Sequence, residues 1–255
     1  MSLAGRVALV TGGGRGIGRA ISLALAEDGA DVAVNYRRDE EAARQTAAEI
    51  QALGRRAGAY AASIDSFDDD RAMVEAVLKD FGYVDILVHN AGIASRGQSV
   101  ADTDPAELER VIRTHAFGPH YLSKLLAPQM RARPRGDVIF ISSVATLSLA
   151  ANGAPYNMGK AAMEALAMTL YKEERPHGTH VNIVAPGLVE TDMGVRLAKA
   201  TMGVQDIHEL DRRMPFGRVC QPGDVADVVR YLVSEGASYL SGQRIYVDGG
   251  GNIWS

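Results

Sequence analysis

Short apolar runs recur along the chain at Val7–Val10, Val32–Asn35, Ile86–Val88, Val138–Ile141, Val181–Val184 and Ile245–Val247. Rich in β-branched residues and bounded by Gly or Asp, such runs read as strands buried on both faces. Between the second and third, Met73, Val74, Val77, Leu78 and Phe81 fall at i, i+1, i+4, i+5 and i+8, the spacing of one helix face packed on a sheet. Stretches from Ile17, Glu40, Pro105 and Tyr156 follow the same rule. Strand and helix alternate along nearly the whole chain, which predicts a doubly wound α/β fold, a parallel sheet with helices on both faces.

No Pro- or Ser-rich linker and no internal repeat interrupts the alternation, so residues 1–255 are expected to form a single domain. The least regular stretch, Leu188 to Pro215, follows Pro186-Gly187 and carries Met193, Met202 and Met214. It reads as a substrate lid with a short helix or two, its methionines either an adaptable ligand surface or ordinary core filler.

Composition narrows the partners. Apolar residues at 47% and charged residues at 23% exclude a disordered or coiled-coil chain. With 27 Lys and Arg against 31 Asp and Glu, and neither sign in runs, no nucleic-acid groove or polybasic membrane surface is expected, and small molecules are the expected partners. Cys220 is the sole cysteine, which precludes an intrachain disulfide and a thiolate metal cluster and suits a reducing cytoplasm. The opening MSLAGRVALVTGGG has no apolar stretch of signal-peptide length, and no segment approaches the roughly 20 apolar residues of a membrane helix, so a cytoplasmic protein is expected.

The first run leads into Thr11-Gly12-Gly13-Gly14-Arg15-Gly16-Ile17-Gly18 and then an amphipathic helix with Ile21 and Leu25. Glycines occupy the turn where backbone must approach a ligand, and a helix N-terminus there offers free N–H groups to an anion. Ile17 breaks the strict G-x-G-x-x-G spacing, leaving T-G-x-x-x-G-x-G, but the strand before and the helix after favour dinucleotide binding over a merely flexible turn. An acid at the end of the second strand would select NAD, whereas arginine accommodates the 2′-phosphate of NADP. That end reads Asn35-Tyr36-Arg37-Arg38, and Arg15 could converge on the same phosphate, so NADP(H) is expected over NAD(H). The competing reading is that the arginines are solvated surface charge. Asn90-Ala91-Gly92 offers small residues against which a cofactor could lie.

Tyr156 and Lys160 are four apart at the start of a helical stretch, which sets phenol and ammonium on one face. A nearby cation favours the phenolate and lowers the tyrosine pKa, as a general acid or base for carbonyl reduction or alcohol oxidation requires. Ser142 and Ser143 end the run Val138–Ile141 at the carboxyl edge where doubly wound sheets bind ligands. One hydroxyl there can donate to the same carbonyl oxygen, while the other caps the strand.

These motifs, in this order and over essentially the whole chain, resemble the short-chain dehydrogenase/reductase family. They are Thr11 to Gly18, Asn90 to Gly92, Ser143, Tyr156 with Lys160, Pro186-Gly187 with Thr191, and Val247-Asp248-Gly249-Gly250. The subgroup most alike is the 3-oxoacyl-[acyl-carrier-protein] reductases and their generic relatives. The resemblance implies a Rossmann fold, hydride transfer with NAD(P)H and a homotetramer. It also implies that Tyr156 is the acid/base, that Lys160 holds the nicotinamide ribose and depresses the Tyr156 pKa, and that Ser143 binds the substrate oxygen. By the same resemblance Pro186, Gly187, Val189 and Thr191 meet the nicotinamide end, and Ser63 and Ile64 the adenine.

Two positions depart from the family pattern. His115 stands where an asparagine three before a glycine, here Gly118, anchors a relay water; a histidine could hold that water, with its size and titration near neutrality altering the relay, or be only a helix residue. Ser63 replaces an aspartate that receives the adenine amino group, and accepts that bond without charge assistance. The resemblance makes an acyl-carrier protein a candidate partner, with Arg131, Arg133 and Arg135 in one expected docking zone and Lys172 and Arg175 in the other. Glu173 and Glu174 interleave with the latter, so a solvated mixed-charge face competes with a dock. The function expected is NADP-dependent hydride transfer between the nicotinamide and a carbonyl or secondary alcohol, a 3-oxoacyl thioester included. The alternative is a non-catalytic NADP(H)-binding regulatory or structural subunit.

Overall fold

The computed structural model describes residues 2–251. Residues 1 and 252–255, the ends of the predicted domain, lie outside the described residues. Seven parallel strands form one sheet in the order β3-β2-β1-β4-β5-β6-β7. They are β1 (Val7–Val10), β2 (Asp31–Tyr36), β3 (Ala57–Ala61), β4 (Ile86–His89), β5 (Gly136–Ile141), β6 (Thr179–Pro186) and β7 (Arg244–Val247). The helices are α1 (Gly16–Glu27), α2 (Glu40–Ala52), α3 (Phe67–Phe81), α4 (Pro105–Ile112), α5 (Gly118–Met130), α6 (Ala145–Ser148), α7 (Ala154–Glu174), α8 (Asp192–Met202) and α9 (Pro222–Leu232).

The doubly wound Rossmann architecture is as the alternation predicts, with two differences at the edges. β3 has no apolar run: its sequence AGAYA lacks β-branched residues and is half-buried to exposed, so it escapes a pattern built on buried strands. β7 was expected to be buried on both faces, but Arg244 is exposed and Ile245, Tyr246 and Val247 are half-buried, because the strand pairs only with β6.

Successive side chains of each strand point to opposite faces, so every strand feeds two cores. Ala8 and Val10 pack with Ile21, Leu25 and Val229 of α1 and α9, whereas Val7 and Leu9 pack with Met73, Leu126 and Met163 of α3, α5 and α7. A third cluster joins Leu188, Ala198, Ile207, Leu210 and Val219, with Met202 and Met214 packed against it. Both methionines thus serve as filler between α8 and the 3-10 turn Ile207–Arg213, the helical pieces of the 188–215 segment.

Helix starts obey local chemistry. Ser66 accepts from Asp69 N–H to cap α3, and Asp104 accepts from Ala106 N–H with Pro105 opening α4. At the amino edge of the sheet Arg133 pairs with Asp85 at 2.7 Å, Arg135 and Arg6 with Asp137 at 3.0 and 2.6 Å, and Arg131 with Glu174 at 2.6 Å. The three arginines of the expected docking zone are therefore clamps between elements. Among the described residues no helix is long and apolar enough to cross a membrane.

Asp70 occupies the buried stripe of α3 with Met73, Val74, Val77 and Phe81. Neither of its carboxylate oxygens has a hydrogen-bond partner. Burial, with Asp69 and Asp65 nearby, pushes its pKa up from 3.8 to about 8. Between those values the folded chain keeps a proton that the unfolded chain releases, so stability falls as pH rises through that window. Thermal melts from pH 4 to pH 9 should show this decline in the wild type and its loss in Asp70→Leu, with the variant more stable by about 1–3 kcal/mol at the alkaline end.

Candidate active site

The order reversal between β1 and β4 opens a crevice at the carboxyl edge of the sheet, and the predicted cofactor residues lie around it. Gly12 and Gly16 adopt φ of +61° and +53°, a left-handed backbone that favours glycine. A Cβ on Gly18 would stand 2.2 Å from the Gly12 carbonyl oxygen, so the turn is packed directly on the helix that follows. Arg15, at the cap position of α1, makes no side-chain cap, and the first N–H groups of that helix receive none. This is a cradle with donors to spare for a diphosphate, and in that respect the loop fits a dinucleotide.

Side chains outside the motif hold the loop. Asn35 Oδ1 accepts from Gly12 N–H at 3.1 Å while its Nδ2 donates to the Ala62 carbonyl at 3.2 Å. Thr11 Oγ1 donates to the Val88 carbonyl and accepts from Asn90 and Ala91 N–H at 2.9 and 3.0 Å. Asn90, expected to face the cofactor, commits its amide to the Thr11 and Gly12 carbonyls at 2.8 and 3.2 Å. The polar residue inside the apolar β2 run was the available signal for Asn35.

Arg37 and Arg38 are exposed beside half-buried Tyr36, and no ion pair engages either among the described residues. Arg15 lies 3.9 Å from Asp192 at the start of α8. Ser63 donates to Asp65 at 2.6 Å, so the hydroxyl expected to act without charge assistance is coupled to a carboxylate. Ile64 is buried beside it. At the other end of the crevice Gly187 N–H bonds the Val247 carbonyl, Val189 bridges to Cys220, and Thr191 caps α8 through Gly194 N–H.

Ser143 Oγ accepts from Ala145 N–H at 3.1 Å, which fixes the hydroxyl at the start of α6. Ser142 is the structural member of the pair, buried and donating to Glu164 at 2.6 Å. Tyr156 and Lys160 share a face of α7, with Nζ 5.8 Å from the phenol ring centroid. Lys160 is 3% exposed and donates to the Ile141 carbonyl at 2.7 Å. Burial draws its pKa down to about 7 against the opposing field of Glu164. The expected depression of the Tyr156 pKa is not found: burial raises the phenol, and only the nearby Ser143 hydroxyl works the other way. A buried lysine that sheds its proton near neutrality is a weak source of the charge that would favour phenolate.

His115 is fully buried in a π turn, Arg113–Phe117, that joins α4 to α5. Pro119, four residues on, has no N–H to give the His115 carbonyl, and Gly118 N–H bonds Arg113 instead, which widens the turn. The ring lies edge-on to Tyr156, centroids 5.2 Å apart. Its Nε2 is 2.8 Å from the Ile93 carbonyl and 3.3 Å from Ile93 N–H. It fits because Gly92 and Gly159 flank it: a Cβ on either would come within 2.8 or 3.0 Å of the histidine. Burial and Lys160 take its pKa to about 3, so the expected titration near neutrality is corrected to a permanently neutral ring. The short contact to a carbonyl puts the proton on Nε2.

Residues 12–252 match the family model described as enoyl-(acyl carrier protein) reductase. The chain is 36% identical over 243 residues to the 3-oxoacyl-[acyl-carrier-protein] reductase FabG of Staphylococcus aureus, a match that covers 95% of this chain and 96% of the relative. It belongs to the short-chain dehydrogenase/reductase family. This short-chain dehydrogenase/reductase is an oxidoreductase, and solved members superpose over almost its full length. A short chain dehydrogenase from Burkholderia cenocepacia, in complex with NADP, matches with a TM-score of 0.88 at 34% identity, covering 98% of this chain and 99% of that one. A 3-ketoacyl-(acyl-carrier-protein) reductase from Brucella melitensis, complexed with NADH, matches with a TM-score of 0.87 at 31% identity, covering 98% and 99%.

The neutral ring makes a testable distinction. His115→Gln, whose amide nitrogen stands as many bonds from the backbone as Nε2, can donate to the Ile93 carbonyl and should keep the stability of the wild type. His115→Phe leaves the Ile93 carbonyl unanswered and should lose about 1–3 kcal/mol in denaturant unfolding. Histidine NMR should show the His115 ring neutral from pH 5 to pH 8.

Proposed function

We propose that this oxidoreductase is an NADP(H)-dependent reductase of carbonyl compounds that runs as a secondary-alcohol dehydrogenase in reverse. The observation that carries the reading is that Tyr156 and buried Lys160 share one face of α7, with the Ser143 hydroxyl fixed at the start of α6 to complete the set. When bound, the nicotinamide cofactor supplies or takes the hydride. Tyr156, held protonated at neutral pH by burial, gives its proton to the carbonyl oxygen as charge develops there, and takes it back in the oxidative direction. Ser143, anchored by Ala145 N–H, donates to the same oxygen. Lys160 has donors left after Ile141 to hold a ribose, and His115 keeps the loop after β4 in place through Ile93.

The 2′-phosphate would fall to Arg37 and Arg38, whose exposed guanidinium groups at the end of β2 have no ion-pair partner among the described residues. The 188–215 segment acts as the lid. Beside it a cleft of about 180 Å³ is lined by Val144, Leu188, Met214, Phe216 and Val247 together with Arg218, Asp224 and Asp248, a mixed apolar and charged setting for the substituents of a ketone or a 3-oxoacyl thioester. The paired state of Arg131, Arg133 and Arg135 leaves Lys172 and Arg175 as the cations for an acyl-carrier partner, so a small-molecule substrate is favoured. A homotetramer is part of this reading, by the likeness to the family. The complete Ser143, Tyr156 and Lys160 set argues against a purely regulatory or structural subunit.

Oxidation of NADPH and NADH at 340 nm with acetoacetyl-CoA and a panel of ketones tests the proposal. NADPH should be consumed, and Tyr156→Phe should lower kcat by about 10²–10⁴-fold. Binding without consumption of either cofactor would sink the reductase reading. Replacing both Arg37 and Arg38 by Ala should raise KM for NADPH about tenfold or more while leaving that for NADH nearly unchanged; equal effects on both would overturn the assignment of the phosphate site.

A further inference from the structure

One turn beyond Lys160, α7 carries Glu164, whose side chain is 5% exposed. Tyr156, Lys160 and Glu164 stand at i, i+4 and i+8, a single helix face. Glu164 Oε1 accepts from Ser142 Oγ at 2.6 Å and from Thr146 Oγ1 at 3.0 Å. Those two residues bracket Ser143, and the Thr146 hydroxyl also lies 3.0 Å from the Ser143 carbonyl. The second oxygen of Glu164 is 2.6 Å from Nη2 of Arg244 on β7. Three elements, the end of β5, α6 and β7, thus converge on one buried carboxylate.

A carboxylate out of water costs several kcal/mol unless it is paired and its lone pairs are answered, as they are here. The arrangement is also specific to the site: removing Glu164 would leave the buried Ser142 hydroxyl without its acceptor, Arg244 with only the Tyr246 hydroxyl, and Lys160 without a neighbouring anion on its own helix. We propose that Glu164 is a positioning residue for the reaction, tying the Ser143 turn to the Tyr156–Lys160 helix and setting a negative charge one turn from the buried ammonium. The inference rests on the roles given to Ser143, Tyr156 and Lys160 above. The other titratable or charged groups around the pair are Tyr156 on α7, His115 on the π turn and Arg244 on β7, and the field of Glu164 opposes the effect of burial on Lys160.

Glu164→Gln separates the two jobs, because its amide oxygen still accepts from Ser142 and Thr146 while the charge is gone. Lysine side-chain ¹⁵N NMR, with the Lys160 resonance identified by its absence in Lys160→Met, reads the ammonium directly without cofactor or turnover. The Lys160 titration should move about one pH unit lower in Glu164→Gln. NADPH binding, followed by fluorescence, should weaken over a correspondingly lower pH range. Ser142→Ala, which keeps the charge, should leave the titration in place. An unmoved titration in folded Glu164→Gln, or an equal shift in Ser142→Ala, would overturn the proposal. Should Glu164→Gln not fold, Glu164→Ala, which removes the same charge and leaves room for water to answer Ser142 and Arg244, takes its place, and an unmoved titration there has the same meaning. A wild-type protein that consumes no cofactor would refute the reductase reading, while the Lys160 titration still decides the part played by Glu164.

Discussion

The structure depends on β1 being hydrogen-bonded on one side to β2 and on the other to β4. Parallel pairing puts every carboxyl end on one edge, and the reversal of order at β1 makes the loops after β1 and β4 diverge. That divergence would leave backbone groups without partners, and Thr11, Asn35 and Asn90 answer them from three different segments. The crevice is therefore built of satisfied backbone and kept open by short polar side chains. Everything placed around it, the glycine turn at one end and Pro186-Gly187 at the other, takes its position from that arrangement.

How much of this was legible in the sequence follows from what each residue touches. Strands buried on both faces announce themselves, because both sets of side chains must be apolar; β1, β2, β4, β5 and β6 are of that kind. β3 is half-buried and built from Ala, Gly and Tyr, so no local pattern marks it. The site residues with strict local requirements, the glycines and the Tyr156–Lys160 spacing, could be read directly. Long-range pairing could not. Nothing near Arg133 in the sequence points to Asp85, nothing near Glu164 to Arg244, and the space that lets His115 be buried comes from Gly92 and Gly159, on two other segments.

The ionisable groups buried in the interior fall into three physical kinds. Glu164 and Asp137 are buried with their charge answered by arginines and hydrogen bonds. Asp70 and His115 are buried with atoms unanswered and exist in their neutral forms at neutral pH. Lys160 sits between them, with one firm acceptor and a pKa near the working range, so small changes around it alter its charge. A site that must pass a proton benefits from a group of that third kind set among neighbours whose protonation does not change.

The π turn at Arg113–Phe117 sets the phase of the two halves of the long central helix independently. The turn accommodates more backbone than α-helical winding would, so α4 packs on α7 while α5 packs on α3, each in its own phase. Deleting one residue from this stretch would restore regular winding and rotate everything downstream by about 100° relative to the rest. The buried face of α5, with Leu122, Leu126 and Met130, would then turn away from the sheet. Length variation among relatives should accordingly be excluded from 113–117 and gather in exposed connections such as the stretch from Ser95 to Val100.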